Sequence, residues 1–249
     1  MLPRKKSHHF SVVLPLYKPS GNWEELFLQN VKELNDLLSE NVTVRYIVVY
    51  DGLPEESVYE TFQSILQNNP AISFISYAPN MGKGYALRRG VSEADTDYVI
   101  ITDFDFPYAK KNIVELMDLL VDGYDVVVGK RSESYFRQLP FKRKVISETC
   151  NLLKKAFLDL PSYDTQSGIK AFNKNGKEAF LETTINRFLI DTEFLLRSHK
   201  KHLAIKEINI ELESYVRFSN FGFKVLREEM NNFFKLLHLN KKLRKGLVA

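Results

Sequence analysis

The chain has little of what marks most specialised protein classes. It carries a single cysteine, Cys150, in 249 residues, so no internal disulfide can form. That thiol falls in the helical-looking stretch Val145–Phe157 and reads as a small buried apolar side chain in a protein suited to a reducing cytoplasm. No stretch approaches the roughly 18 apolar residues that a membrane span needs. Nor does an apolar segment with a cleavage site follow the basic N-terminus, where Phe10–Leu16 reads as a short strand ended by Pro15. Neither secretion nor a bilayer span is expected. With 11 Gly and 9 Pro, the composition is unlike a disordered or collagen-like chain. An excess of one charge is missing too: 35 basic residues are interspersed with 31 acidic ones, for a net charge of +4, so nucleic-acid binding is not implied. The small excess sits at the ends, Arg4-Lys5-Lys6 and Lys241-Lys242 with Arg244-Lys245. These runs are either solvated tails or an attraction to an anionic membrane surface, worth about 1 kcal/mol per basic residue close to it.

What is present is alternation. Apolar, β-branched-rich runs at Phe10–Leu14, Val44–Val49, Ala71–Ser76, Tyr98–Thr102 and Asp125–Gly129 are separated by amphipathic stretches at Trp23–Leu38, Val58–Leu66, Tyr85–Ser92 and Ile113–Leu120. Strands that are apolar nearly throughout, with helices between them, predict an α/β fold with a mostly parallel central sheet covered on both faces. The chain reads as one catalytic domain over 1–222, with a nucleotide-binding half at about 10–131 and an acceptor half at about 132–222. A helix at Phe223–Leu239 follows, with Phe223, Leu226, Met230, Phe233 or Phe234, and Leu237 at helical spacing. Docking of that amphipathic helix on the parent domain is favoured slightly over a membrane-surface or partner-binding role.

Ligands of such sheets bind beyond the carboxyl ends of the strands, where Asp51, Asp103, Asp105 and Lys130-Arg131 fall. Thr102-Asp-Phe-Asp-Phe-Pro107 sets two carboxylates two apart just past a strand. Hard divalent cations want oxygen ligands, and a nucleotide diphosphate shares its cation, so metal and phosphate would bind as one unit there. The cluster Asn80–Gly90 opens a helix with Gly82, Lys83 and Gly84. It reads equally as a phosphate cradle of free backbone N–H groups with a lysine, and as a tight turn. Asp164-Thr-Gln166-Ser167-Gly168 is a polar loop. Asp191 and Glu193 are acidic residues in an apolar stretch, and two apart they should not share a helix face.

In order, these pieces resemble family-2 glycosyltransferases of the GT-A fold, closest to the dolichyl-phosphate mannose and polyprenyl-phosphate branch. The likeness runs over residues 10–225, through Ser11–Tyr17, Val48–Gly52, Asn80–Gly90, Asp103-x-Asp105, Gly129-Lys-Arg131, Asp164–Lys170, Ile190–Leu195 and Arg217 with Ser219. Tyr50 stands where the family usually has a second Asp before Asp51, and Pro107 where a Gln commonly follows the metal motif. The resemblance implies an inverting hexosyltransferase of cell-envelope polysaccharide or glycoconjugate synthesis. It would use Mg2+ or Mn2+ and a UDP- or GDP-sugar donor, with the acceptor a polyprenyl or dolichyl phosphate or else a saccharide hydroxyl. It assigns the donor to Pro15, Tyr17, Asp51, Asn80, Gly82, Lys83, Asp103 and Arg131, and the metal to Asp103 and Asp105. The acceptor falls to Asp164, Gln166, Ser167, Arg217 and Ser219, with Asp191 as the acceptor-side acid. The site would work in the cytoplasm, or peripherally at the inner membrane face, and a homo-oligomer stays open. The rivals are a nucleotidyltransferase, ranked low because no Gly-rich loop follows the first strand, and a catalytically inactive scaffold domain.

Overall fold

The computed structural model describes residues 6–131, 158, 160, 164, 165, 167–213 and 223–245, without the side chains of 223–226. The stretch around Cys150, together with Gln166, Arg217, Ser219 and the Lys224 side chain, therefore lies outside the described residues.

The first half is a run of strand–helix units: β1 (His8–Leu16), α1 (Trp23–Asp36), β2 (Val42–Tyr50), α2 (Glu56–Asn68), β3 (Ile72–Ser76), α3 (Lys83–Glu93), β4 (Tyr98–Ile101), α4 (Lys110–Val121) and β5 (Val126–Arg131). After it come β6 (Lys170–Phe172), α5 (Lys174–Leu181), α6 (Ile190–Lys200), β7 (Ile205–Ile210) and α7 (Phe223–Arg244). They build a seven-stranded sheet in the order β3-β2-β1-β4-β6-β5-β7. Every described pairing is parallel except those of β6, which runs antiparallel between β4 and β5.

The period of two along each strand divides the core into two layers. Val12 and Leu14 of β1, Tyr46 and Val48 of β2, Ile100 of β4 and Val127 of β5 face the side covered by α1, α2 and α4. Val13, Ile47, Val49, Val99, Ile101, Val126 and Val128 face the side covered by α3, α5 and α6. Burial on both faces is why the strands read as continuous apolar runs rather than as alternation.

Pro15 does not end β1, as the sequence reading expected; the strand continues to Leu16, with Pro15 opposite Val49. β4 pairs only with Phe10–Val13, so at Pro15 the strand has a described partner on the β2 side alone, where a missing N–H is tolerated as it is on an edge strand.

Helix α7 is docked. Phe233 and Leu236 are buried in a cluster with Ile185, Leu189 and Leu196, and Leu237 packs beside them. Met230, expected on the buried face, is instead exposed with Phe234. Two further links fasten this helix: Glu228 pairs with Arg187 at 3.2 Å, and Glu229 Oε2 accepts from the Leu189 N–H at 3.1 Å.

Candidate active site

The metal motif continues the period of β4. Phe104 turns into the aromatic core and stacks on Phe27 with ring centroids 4.8 Å apart, which leaves Asp103 and Asp105 on the other side of the chain. Lys83, the first residue of α3, donates to Asp103 Oδ1 at 2.5 Å. Burial alone would lower the Lys83 ammonium, but the charges of Asp103, Asp191 and Asp105 outweigh it and hold the group above its ordinary range. Burial pushes the Asp105 carboxyl up, and the neighbouring Asp103 charge adds to the shift. A divalent cation between the two carboxylates would offset both effects, and the all-oxygen donor set suits a hard cation. Among the described residues no three His, Cys, Asp or Glu side chains gather at one point. The two carboxylates could hold such an ion only with further ligands from a diphosphate and water.

Asp51 ends β2 but does not stand open at the edge. Its carboxylate accepts from the Tyr77 hydroxyl at 2.9 Å, Asn80 Nδ2 at 2.8 Å, the Met81 N–H at 2.7 Å and the Gly82 N–H at 2.8 Å. Asp51 therefore shapes the turn that delivers Lys83. Of the two readings of the start of α3, a phosphate cradle or a tight turn, the backbone bonds favour the turn, because the Gly84 N–H is also taken, by the Asn186 carbonyl at 2.8 Å. These positions are small for another reason. At Gly82, where φ is +100°, a Cβ would lie 2.4 Å from the Asn186 carbonyl oxygen and 2.9 Å from Arg187 Cδ. The chain before α6 is pressed directly onto the start of α3, and Arg88 reinforces the contact by donating to the Ile185 carbonyl at 2.7 Å.

Arg131 and Asp164, assigned by resemblance to donor and acceptor, hold each other. The Asp164 carboxylate accepts from Arg131 Nε at 2.7 Å, from Nη2 at 2.7 Å and from the backbone N–H at 2.9 Å. Burial would raise that carboxyl, but the bonds and charge of Arg131 prevail and keep it below the usual carboxylate range. The pair pins the loop before β6 to the end of β5. Gly168 in that loop touches the metal motif, since a Cβ there would meet Asp103 Oδ2 at 2.6 Å.

Asp191 and Glu193 point different ways, as their spacing predicted. Glu193 accepts from the Thr184 and Ile185 N–H groups at 2.9 and 2.8 Å and from Arg197 Nε at 3.1 Å, so it braces the approach to α6. Asp191 faces the site and pairs with Lys170 Nζ at 2.7 Å. Ser167 is fully buried nearby, and its Oγ has no hydrogen-bond partner among the described residues. Tyr17, just past β1, is 53% exposed at the edge that carries Asp51, with Lys18 Nζ 5.6 Å from its ring centroid.

Sequence reasoning missed Lys170, Tyr77 and Arg187, and it assigns no task to Glu193. For Lys170 a signal existed, a lysine inside the apolar run Ile169–Phe172. The others are set by contacts from distant segments.

The model for glycosyl transferase family 2 matches residues 11–176. Among curated relatives, the glycosyltransferase AglD of Haloferax volcanii is 28% identical over 82% of this chain and 33% of its own length. The dolichol-phosphate mannosyltransferase of Pyrococcus furiosus is 26% identical over 91% of this chain and 63% of its own. The chain thus spans less than two thirds of either relative. Of solved structures, the mannosyltransferase PcManGT from Pyrobaculum calidifontis, in complex with GDP-Man and Mn2+, superposes with a TM-score of 0.53 at 14% identity, covering 97% of this chain and 75% of that one. With the metal motif, the Asp51 turn and the Asp164–Lys170 loop all inside the matched segment, the chain belongs to glycosyl transferase family 2.

Proposed function

We propose that the chain transfers a sugar from a UDP- or GDP-sugar to a polyprenyl-type phosphate, with inversion at the anomeric carbon. The observation that supports this reading is the convergence of Asp103, Asp105 and Lys83 with Asp191 at one sheet edge, which would set a donor-phosphate site beside an acceptor site. The names of the relatives, a dolichol-phosphate mannosyltransferase among them, point the same way. A bound divalent cation would neutralise charge on the departing diphosphate. Lys83 would add a second positive charge, and Tyr17 a stacking face for the base beside Pro15. Asp51 and Asn80 would act through the turn they hold together. On the acceptor side, Asp191 and Ser167 would orient the incoming group, with Gln166, Arg217 and Ser219 completing that side by resemblance. The Arg131–Asp164 pair would fix the loop between the two.

The donor reading is tested by thermal unfolding with UDP- and GDP-sugars, with and without Mn2+. At a hundredfold excess over Kd, a ligand of the native state adds about 2.7 kcal/mol, or roughly 5–10 °C for a chain of this size. Stabilisation by one nucleotide family that requires Mn2+ is the expected result. No shift with any of them would overturn the reading.

No helix among the described residues is long and apolar enough to cross a membrane. Helix α7 nonetheless offers Met230 and Phe234, 45% and 61% exposed, and carries Lys241, Lys242 and Arg244 in its last turn. Two outward apolar side chains among polar ones, with a basic end, suit a helix lying in an anionic interface, which would bring the site to a lipid acceptor. The chain should float with vesicles rich in anionic lipid and not with neutral ones, and Phe234→Glu should weaken that binding at least tenfold. Equal flotation of the variant would remove α7 from the contact.

A further inference from the structure

Lys170 is a fully buried lysine that the function proposed above leaves without a task. It lies in β6 between two strands, opposite Ile101 of β4 and Val128 of β5, and is 0% exposed. Its Nζ makes two described bonds, to Asp191 Oδ1 at 2.7 Å and to the Ser167 carbonyl oxygen at 2.5 Å. An ammonium buried in the middle of a sheet costs several kcal/mol, and its ion pair repays that cost only with good geometry. An apolar side chain would fill this position more cheaply. Both groups that Lys170 grips belong to the proposed acceptor side: Asp191 in the first turn of α6, and the residue whose hydroxyl is buried there with no partner among the described residues.

We propose that Lys170 is the positioning residue of the acceptor side, locking the Asp191 carboxylate and the Ser167 backbone in one arrangement. The proposal rests on the function proposed above and adds to it a constraint on the acceptor. A proton taken up by Asp191 would strip a buried ammonium of its counter-charge. Asp191 is therefore poorly suited to be the base for a neutral hydroxyl and well suited to orient an acceptor that arrives already ionised. With a phosphate acceptor the balance closes without a proton transfer. One phosphate oxygen forms the new bond to the anomeric carbon, and the bond from that carbon to the donor diphosphate breaks, its electron pair leaving on the diphosphate.

The test is a double-mutant cycle on Lys170→Met, Asp191→Asn and their combination, with Lys170→Arg as the conservative variant. Each is assayed for its unfolding midpoint and for kcat and donor KM, using the nucleotide-sugar that stabilises the wild type and a short-chain isoprenyl phosphate. Lys170→Met is expected to lower kcat about a hundredfold, as a misplaced positioning group does, with donor KM within twofold of wild type. Lys170→Arg should recover much of the loss. The double variant should match Asp191→Asn alone, because Lys170 acts through Asp191. It also removes both charges together, so it remains informative should Lys170→Met fail to fold. Losses that multiply in the double variant, or a Lys170→Met enzyme with wild-type kcat, would overturn the proposal. An Asp191→Asn enzyme with full turnover would instead sink the acceptor-side assignment of Asp191 itself.

Discussion

Asp103→Ala should abolish metal-dependent nucleotide-sugar binding and lower transfer by about three orders of magnitude. The expectation follows from the carboxylate's place. Asp103 is the only described partner of the Lys83 ammonium, it lies two residues from Asp105, and it abuts Gly168 of the acceptor-side loop. Removing it takes away one of two hard oxygen ligands and the contact between the donor and acceptor sides. Charge stabilisation by a bound cation is worth several kcal/mol in such reactions, and each 1.36 kcal/mol is a factor of ten in rate. The fold should survive, because the Asp103 side chain is 38% exposed and a partly solvated ion pair contributes little to stability. Calorimetry with GDP- and UDP-sugars, with and without Mn2+, decides the matter. Undiminished affinity in the variant would remove Asp103 from the metal site.

The second large effect is on stability. Asp164→Ala should cost about 3–5 kcal/mol, since it leaves the guanidinium of Arg131, only 7% exposed, without the carboxylate that its Nε and Nη2 bond, and the Arg131 backbone N–H without its acceptor. The pH dependence has a definite sign. The Asp164 carboxyl is held below its ordinary range in the folded chain, so the unfolded state binds the proton more readily. The stabilisation is fully present above the unfolded value of about 3.9 and is lost as pH falls through the folded one. Urea denaturation of the wild type should show the pair's contribution intact at neutral pH and fading below about pH 4, and Asp164→Asn should flatten that part of the curve. Equal acid sensitivity in both would assign the loss to other carboxylates.

These residues also show how far the sequence could be read. The β–α alternation and the two layers were accessible, because burial on both faces writes itself as apolar runs. The Asp103–Asp105 motif was accessible because its residues are neighbours in the chain. Asp51 was seen as a strand-end carboxylate, but its partners, Tyr77, Asn80, Met81 and Gly82, come from a turn about thirty residues later. Nothing local reveals that they would claim it. Arg131 and Asp164 were each given a ligand because their mutual bond spans 33 residues and nothing local to either reveals it. The helix at the C-terminus was recognised, but with apolar residues on several sides the choice between Met230 and Leu236 for the buried face depended on where α6 lies. Lys170 was passed over because it interrupts an apolar strand, and the same interruption marks it as a residue with a task.

The insertion of β6 between β4 and β5 also bears on how the chain folds. Strands β1, β2 and β3 pair with their neighbours in sequence and can form from successive local units, and β4 then returns to lie beside β1, with Tyr98 opposite Phe10. β4 and β5 are joined only through a strand that arrives some forty residues after β5, and this strand carries Lys170 and follows the loop that touches Asp103. Long-range closures of this kind are slow steps. Competence to bind an acceptor should therefore appear late in refolding, after the donor half has formed, so a chain stalled halfway would hold a nucleotide edge with no neighbouring site to transfer to.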